Sequence, residues 1–252
     1  MSVLALRLAG PLQAWGASSR FTRRTTESAP TKSGVIGLLA AAAGIERGDD
    51  ARLAPLTALR FAVRIDQPGT RIRDFHTAHH AVTGKSMPLS ERFYLADAVF
   101  VAALEGDHTL LTDLHAALRA PVYPPFLGRR SCPPAGPIDL GLYEDASLED
   151  TLHNLPWQAS PWYRRRLRRQ PPTRLTVLRD RGPADEPGAQ DTLRDQPLSF
   201  SAGHRRHALR PVVTTQVPLP TPPGAPLQHD PFEALLDAAP EATSDAPQDE
   251  SD

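Results

Sequence analysis

The chain has 252 residues, 40% of them hydrophobic, and a formal net charge of −1, which suits one large globular domain or two small ones. Its single cysteine, Cys132, excludes an internal disulfide and any zinc site built on two or four cysteines. The longest mainly apolar run, residues 35–45, is well short of the ~20 residues that cross a bilayer, and no basic stretch precedes the apolar N-terminus. We therefore expect a cytoplasmic protein with no membrane segment.

The near-neutral net charge conceals a strong asymmetry. Residues 230–252 hold eight acidic residues and no lysine or arginine, so residues 1–229 carry 28 basic and 21 acidic side chains. All the basic residues except Lys32 and Lys85 are arginine. Arginine suits bidentate phosphate contacts and stacking on bases, but a GC-rich genome also favours arginine over lysine. The placement of the arginines is therefore more informative than their number.

The first half of the chain predicts an alternation of strands and helices. Residues 3–9 are apolar and predict a buried strand, and a Gly-Pro pair ends it. After a loop that carries arginines, residues 34–43 predict a helix. Residues 58–66 alternate apolar and basic side chains, as a half-buried strand does. Residues 70–95 are polar, basic and rich in histidine, and we expect a protruding hairpin or a long loop there.

The second half predicts two more helices and several short strands. Strands are expected at 97–104 and 138–142, helices at 109–118 and 147–155, and a loop rich in Pro, Gly and Arg at 122–137. Later strands are expected at 174–179 and 210–217, although their pairing is not readable. Residues 180–197 are charged and rich in Pro and Gly, which predicts a mobile loop. Residues 218–252 predict a disordered, acidic, proline-rich tail.

This order predicts an α+β fold. The elements of residues 1–145 follow the pattern β-α-β-β-α-β of a ferredoxin-like split unit, with residues 70–95 as an inserted hairpin. Residues 146–217 are expected to form a small β-rich extension packed on that body. Such folds serve many functions, so the functional argument depends on the side chains.

Four segments gather residues that suit phosphate or metal chemistry, and each has a plainer alternative. TKSG at 31–34 precedes a helix but lacks the glycines of a P-loop, so it forms either an anion site at a helix N-terminus or an ordinary helix cap. DFHTAHH at 74–80 matches no standard zinc spacing; it suits RNA cleavage through a histidine base, phosphate contact, or a solvated hairpin. LGRRSCPP at 127–134 suits a phosphate-binding loop or a turn with solvated arginines. WYRRRLRRQPPTR at 162–174 suits single-strand binding, a solvated helix face or a protein-docking surface.

Four strings taken together resemble one family. They are RLAGPLQAWG at 7–16, PTKSGVIGLLAAAAGI at 30–45, RDFHT at 73–77 with ERFYLADAVFVAAL at 91–104, and YPPFLGRRSCP at 123–133. In order and spacing they are similar to the CasD-type subunits of type I-E CRISPR Cascade, in the RAMP superfamily. The resemblance covers about residues 3–142.

That resemblance implies a ferredoxin-like body with a β-hairpin thumb. It implies a subunit that grips the 5′ handle of CRISPR RNA, caps the backbone of repeated subunits and lies near the large PAM-reading subunit, so that it meets target DNA only through the complex. It implies a subunit that binds RNA without cleaving it, and we expect no cofactor, no metal and no catalytic residue. The candidate RNA-binding residues are Trp15, Arg20, Arg24, Thr31, Lys32, Ser33, Arg73, His76, Arg92, Arg129 and Arg130.

The sequence leaves three hypotheses of function open, each from a different class. The first is a non-catalytic RNA-binding subunit. The second is a metal-independent endoribonuclease that processes repeat RNA, for which His76 and Lys85 are the plausible pair near the hairpin. The third is a protein-interaction module that does not contact RNA.

Overall fold

The computed structural model describes residues 1–17, 23–182, 185 and 191–219. Its strands, in chain order, are β1 (Ser2–Ala9), β2 (Leu12–Gln13), β3 (Arg23–Arg24), β4 (Arg60–Gln67), β5 (Thr70–His76), β6 (Ser90–Ala96), β7 (Val99–Gly106), β8 (Asp139–Glu144), β9 (Arg174–Asp180), β10 (Asp191–Ser199) and β11 (Arg206–Pro218). Its helices are α1 (Lys32–Ala42), α2 (Asp50–Ala58), α3 (His108–Arg119), α4 (Leu148–Asn154) and α5 (Pro161–Arg166). The predicted α+β class is confirmed.

Seven strands form one large sheet in the order β10-β11-β9-β4-β7-β1-β8, and every neighbouring pair is antiparallel. Strand β1, which lies between β7 and the edge strand β8, is almost continuously apolar because both of its faces are covered. Leu4, Leu6 and Leu8 pack on the side of α1, α2 and α3, whereas Val3 and Ala5 pack on the side of α4. The sheet therefore lies between two hydrophobic layers.

The N-terminus of α1 is fixed by a cap and by a buried ionic network. The Thr31 hydroxyl accepts a hydrogen bond from Gly34 N at 3.3 Å, and Asp195 Oδ2 accepts one from Lys32 N at 2.8 Å. Arg210 donates to Asp195 and Asp180, and the Lys32 amine lies 3.1 Å from Asp180. This network joins α1 to β9, β10 and β11, so the C-terminal strands and the N-terminal half share one sheet and one core.

Two predictions for local structure are wrong. Residues 191–197 were expected to be loop, but they belong to β10, which pairs with β11 as the edge strand of the sheet. An edge position tolerates Pro197, and the buried Asp195 carboxylate holds the strand in place. Helix α2 was not expected, because Pro55 lies inside it and only Leu53 and Leu56 are buried.

A second, smaller sheet projects the inserted hairpin. Strands β5 and β6 pair antiparallel from Thr70 opposite Ala96 to His76 opposite Ser90. Strand β6 also pairs with β2 and, in parallel, with the two-residue β3. Of the predicted tail, Pro218 completes β11 and Leu219 is bonded to Thr173, and the remainder lies outside the described residues.

Candidate nucleic-acid interface

The strands of the hairpin sort its side chains onto two faces, because successive residues of a strand point to opposite sides. Arg92 of β6 lies opposite Asp74 of β5 and opposite Arg24 of β3, so these three share one face. Tyr94 lies on the same face, and we call it the donor face. The opposite face carries Arg23, Arg71, Arg73, Phe75, Glu91 and Phe93, and we call it the aromatic face.

A tight loop places Arg129 on the donor face. Leu127 is fully buried and its carbonyl accepts from Ala14 N at 3.1 Å, which fastens the loop to the core. Gly128 follows at φ +83°, and a Cβ there would lie 1.8 Å from the Ala14 carbonyl oxygen, so only glycine fits. The Arg129 guanidinium then lies 4.6 Å from the centre of the Tyr94 ring, and Nη2 donates to the Arg24 carbonyl at 3.0 Å.

Two arginine N–H donors on the donor face have no acceptor among the described residues. They are Nε of Arg92 and Nη1 of Arg129, and both atoms are shielded from solvent. A shielded donor without a partner costs about 1–3 kcal/mol, and more on a charged group. The two side chains are neighbours, since Arg129 bonds the backbone of Arg24, which pairs with Arg92. An anionic oxygen from another molecule would satisfy these donors once the two side chains turned towards it.

The aromatic face interleaves cations with rings. Arg73 lies 4.8 Å from the centre of the Phe75 ring, and Arg23 lies 5.4 Å from that of Phe93. Glu91 lies within ion-pair distance of both arginines, at 3.4 Å from Arg73 and 3.8 Å from Arg23. Phe75 remains 49% exposed, so this face presents an aromatic surface to a base or to an apolar protein contact.

The histidines at the end of the hairpin form no metal cluster. His76 Nε2 lies 2.6 Å from Asp74 Oδ2, an ion pair when the imidazole is protonated. His80 N donates to the Lys85 carbonyl at 2.9 Å, and His79 Nδ1 lies 3.2 Å from the Gly84 carbonyl. In residues 1–17, 23–182, 185 and 191–219, no three His, Cys, Asp or Glu side chains converge as metal ligands would.

An open cleft of about 870 Å³ lies beside α1. Its floor is apolar, with the small residues of α1 facing Tyr123, Phe126 and Phe200. Arg130 and Ser33 line it, together with Arg47 and Arg205. Arg130 is exposed, and its guanidinium has no hydrogen-bond or ion-pair partner in the described part of the chain, so the cleft adds a positively charged rim next to the loop that carries Arg129.

Comparison with protein families gives this chain an assignment. The model for CRISPR-associated protein (Cas_Cas5) matches residues 3–213. The chain belongs to the Cas5 family. The resemblance inferred from the sequence is thereby confirmed, and the Cas5 assignment covers the large sheet and the hairpin alike.

Individual proteins similar to this chain agree with that assignment. The chain is 37% identical over 171 residues to the CRISPR system Cascade subunit CasD of Escherichia coli strain K12, covering 61% of this chain and 76% of that protein. A crystal structure of a Cas protein aligns with TM-score 0.67 and 37% identity over 88% of this chain and 99% of that one. A chain of a CRISPR RNA-guided surveillance complex aligns with TM-score 0.67 and 29% identity over 88% of this chain and 95% of that one.

Three of the predicted RNA contacts lie in the interior of this Cas5 chain. Trp15 is fully buried against Gly34, and its indole N–H donates to Gln13 Oε1 at 3.0 Å, so no base can stack on it. Lys32 is 4% exposed and paired with Asp180; burial lowers the pKa of its amine, and the Asp180 charge opposes that effect. Thr31 is 2% exposed and serves as the helix cap. All three are structural residues.

The remaining candidates are divided between three places. Arg24, Arg92 and Arg129 meet on the donor face, and His76 lies at its end; Arg73 lies on the aromatic face; Arg130 and Ser33 line the cleft. Arg20 lies outside the described residues.

Sequence reasoning missed part of the hairpin surface. Arg23, Phe75 and Phe93 were not singled out, although all three contribute to the aromatic face. The alternation in TRIRDFH and SERFYLA was the available signal, because it sends every second residue of each strand to one side.

Finally, no helix in the described part of the chain is long and apolar enough to span a membrane.

Proposed function

We propose that this Cas5-family chain is a non-catalytic, RNA-binding subunit of a Cascade surveillance complex. In that role it grips the 5′ handle of CRISPR RNA and caps the backbone of repeated subunits. The CasD relative is described as a Cascade subunit, and a second similar chain belongs to an RNA-guided surveillance complex. These two descriptions support assembly into such a complex, with the large PAM-reading subunit nearby and target DNA met through the complex.

The observation that carries the RNA part of this proposal is the pair of unpartnered donors on the donor face. Arg92 Nε and Arg129 Nη1 are shielded, cationic and adjacent to Arg24. Phosphate oxygens satisfy guanidinium donors with short, charge-assisted hydrogen bonds. A strand of RNA that crosses this face would therefore remove the cost of the two unpaired donors. The exposed aromatic face on the other side of the hairpin would contact a base or a neighbouring subunit.

We further propose that the body is ferredoxin-like. The strand order β4-β7-β1-β8, all antiparallel, with α1 following β1 and α3 following β7, supports this arrangement. In it, the hairpin of β5 and β6 is an insertion between the second and third strands of the body. The insertion would act as the thumb of the subunit, and its reach would set how far the RNA contact extends from the body.

The non-catalytic part rests on the surroundings of the one histidine on the donor face. Cleavage without a metal needs a base aimed at a 2′-hydroxyl and a group that stabilises the leaving oxygen. His76 Nε2 is instead held by Asp74 at 2.6 Å, and Lys85 lies in the loop beyond the hairpin, where its carbonyl is bonded to His80. The group beside His76 is therefore an anionic carboxylate, which repels a leaving oxygen rather than stabilising it, and this favours a binding role for His76.

The salt dependence of handle-RNA binding tests the proposal. Each phosphate contact contributes about −0.7 to the slope of log K against log salt for a single strand. Replacing Arg92 and Arg129 with Gln should flatten the slope by about 1.4 and weaken binding at low salt. The matched control replaces Arg119 and Arg194, which are exposed and lie on α3 and β10, and should change little.

Arg129 also packs on Tyr94, so thermal unfolding of each variant is measured alongside. An unchanged slope with unchanged affinity in a folded Arg92 and Arg129 variant would remove the donor face from the RNA site. The variant Arg129→Lys keeps the charge but loses the planar guanidinium, and should retain most of the slope.

A further inference from the structure

A second cluster of arginines lies far along the chain from the hairpin. We call it the arginine patch: it consists of six exposed side chains, Arg164, Arg165, Arg166, Arg168, Arg169 and Arg174. The first three form the last turn of α5, the next two follow that helix directly, and the sixth begins β9. The candidate RNA-binding residues described above include none of these arginines.

Hydrogen bonds fix the start of α5 to the end of β4. Ser160, the residue before α5, donates from N and from Oγ to Gln67 Oε1 at 3.1 and 2.7 Å. The Trp157 indole N–H donates to the Asp66 carbonyl at 2.8 Å, and Gln158 N donates to Asp66 Oδ2 at 2.6 Å. Because β4 belongs to the large sheet, the arginine patch stands on a fixed support.

This anchor lies on the side of the large sheet that α4 covers. Arg64 Nε donates to Asp66 Oδ1 at 2.7 Å, and Arg64 Nη1 also donates to carbonyls of Leu152 and Leu155 at the end of α4. Leu127, two residues before Arg129, packs instead in the core on the side of α1. The arginine patch and the loop that carries Arg129 are therefore attached to opposite sides of the sheet.

The charge of the arginine patch is not balanced by its surroundings. Residues 151–179 contain seven arginines and neither Asp nor Glu. In the part of the chain that the structure describes, none of the six arginines has a carboxylate within ion-pair distance. Cations oppose the dipole at the end of a helix, but that effect is confined to the last turn, and Arg168, Arg169 and Arg174 lie beyond α5. The patch therefore presents a positive field that attracts polyanions.

The rings near the arginine patch are mostly used in packing. Of the three rings in residues 157–174, only Trp162 is exposed, at 43%. Tyr163 packs edge-on against Trp162 and Trp157. Proteins that hold single strands offer rings on which successive bases stack, whereas duplex DNA presents its phosphates at one charge per about 1.7 Å of axis. Many guanidinium groups beside one exposed ring therefore match a duplex backbone better than a single strand.

We propose that the arginine patch binds the phosphate backbone of duplex DNA without reading its sequence. Guanidinium groups bind phosphate oxygens through short, charge-assisted hydrogen bonds, and contacts to phosphate carry no base information. This contact goes beyond the proposed function, in which DNA reaches the chain only through the assembled complex, because it gives the chain a DNA site of its own. It uses neither Arg92 nor Arg129, so loss of either nucleic-acid contact leaves the other in place.

The salt dependence of duplex binding by the full chain tests the proposal. Fluorescence anisotropy of a labelled DNA duplex of random sequence gives log K against log salt, and each phosphate contact contributes about −0.9 to the slope. The patch variant carries Arg165→Gln, Arg166→Gln and Arg169→Gln, and it should flatten the slope by about 2.7. The control variant removes the same charge from three exposed sites on α2, α3 and β10, and it should keep the slope; its changes are Arg52→Gln, Arg119→Gln and Arg194→Gln.

Two further measurements identify the occupant. The patch variant should bind handle RNA as tightly as the wild type does, whereas the Arg92 and Arg129 variant should lose RNA affinity and keep the duplex slope. For a single DNA strand of the same sequence, the patch variant should flatten the slope by less than half of the change seen with the duplex. All the replaced arginines are exposed, so Tm should stay at the wild-type value in thermal unfolding. If the triple variant unfolds, each single replacement should still flatten the duplex slope by about 0.9.

A duplex slope that is unchanged in the folded patch variant overturns the proposal and leaves the arginine patch to an acidic protein surface. Equal flattening with the duplex and with the single strand also overturns it, because the patch would then be a single-strand site. Neither result affects the donor face, which is tested by the Arg92 and Arg129 variant alone.

Discussion

The buried network around Asp195 offers the sharpest test of how the C-terminal strands are attached. Asp195 is fully buried and accepts hydrogen bonds from Arg210 Nε at 2.8 Å, from Arg210 Nη2 at 2.7 Å and from Lys32 N at 2.8 Å. The change Asp195→Ala leaves one buried backbone N–H and part of a buried guanidinium without a hydrogen-bond acceptor. Breaking a buried pair in this way costs about 3–5 kcal/mol.

The lower end of that range applies, because Arg210 keeps its 2.6 Å bond to Asp180. A loss of about 3 kcal/mol lowers Tm by about 6–12 °C in a domain of this size. Urea unfolding followed by tryptophan fluorescence, together with calorimetry, measures both quantities. Asp50→Ala is the control, because its pair with Arg206 is exposed and 3.7 Å long, and it should cost less than about 1 kcal/mol. A loss below about 1 kcal/mol for Asp195→Ala would refute the view that this network ties β10 and β11 to α1.

Three further outcomes follow from single residues. Gly128→Ala should displace the loop that carries Arg129, since its Cβ would meet the Ala14 carbonyl at 1.8 Å. We expect lower thermal stability and weaker RNA binding. Wild-type values for both would contradict the loop geometry. Cys132 should react with a thiol reagent at least about a hundredfold more slowly in the native chain than in urea, because burial both blocks access and raises the pKa of the thiol. Equal rates would show that the loop that carries Arg129 opens freely. His76→Ala should leave the length and yield of mature CRISPR RNA unchanged in a complete system, and loss of processing with an assembled complex would favour the endoribonuclease hypothesis.

The main strands and helices could be predicted because burial on both faces leaves a plain sequence signature. The apolar runs of β1 and β7 and the small apolar residues of α1 gave positions within about two residues of those observed. Strand β10 could not be predicted in the same way. Its stability depends on Asp195 bonding to Arg210 and Lys32, contacts between residues far apart in the chain.

The candidate site was predictable in composition but not in arrangement. Arg92 and Arg129 were chosen from the sequence, yet their proximity follows from the pairing of β3 with β6 and from the turn at Gly128. Trp15 and Lys32 were chosen on residue type, and the structure places both in the interior. An aromatic or basic side chain in a glycine-rich segment does not by itself reveal whether a helix will cover it.

The most direct test of the central claim is to photocrosslink the RNA in an assembled complex. CRISPR RNA with 5-iodouridine in its 5′ handle is irradiated in the reconstituted complex, and the crosslinked peptides of this chain are mapped by mass spectrometry. We expect handle crosslinks within residues 70–96 and 123–133, on the hairpin and on the loop that carries Arg129, and their loss when Arg92 and Arg129 are replaced with Gln. Handle crosslinks confined to other subunits, in a complex that contains this chain, would contradict it.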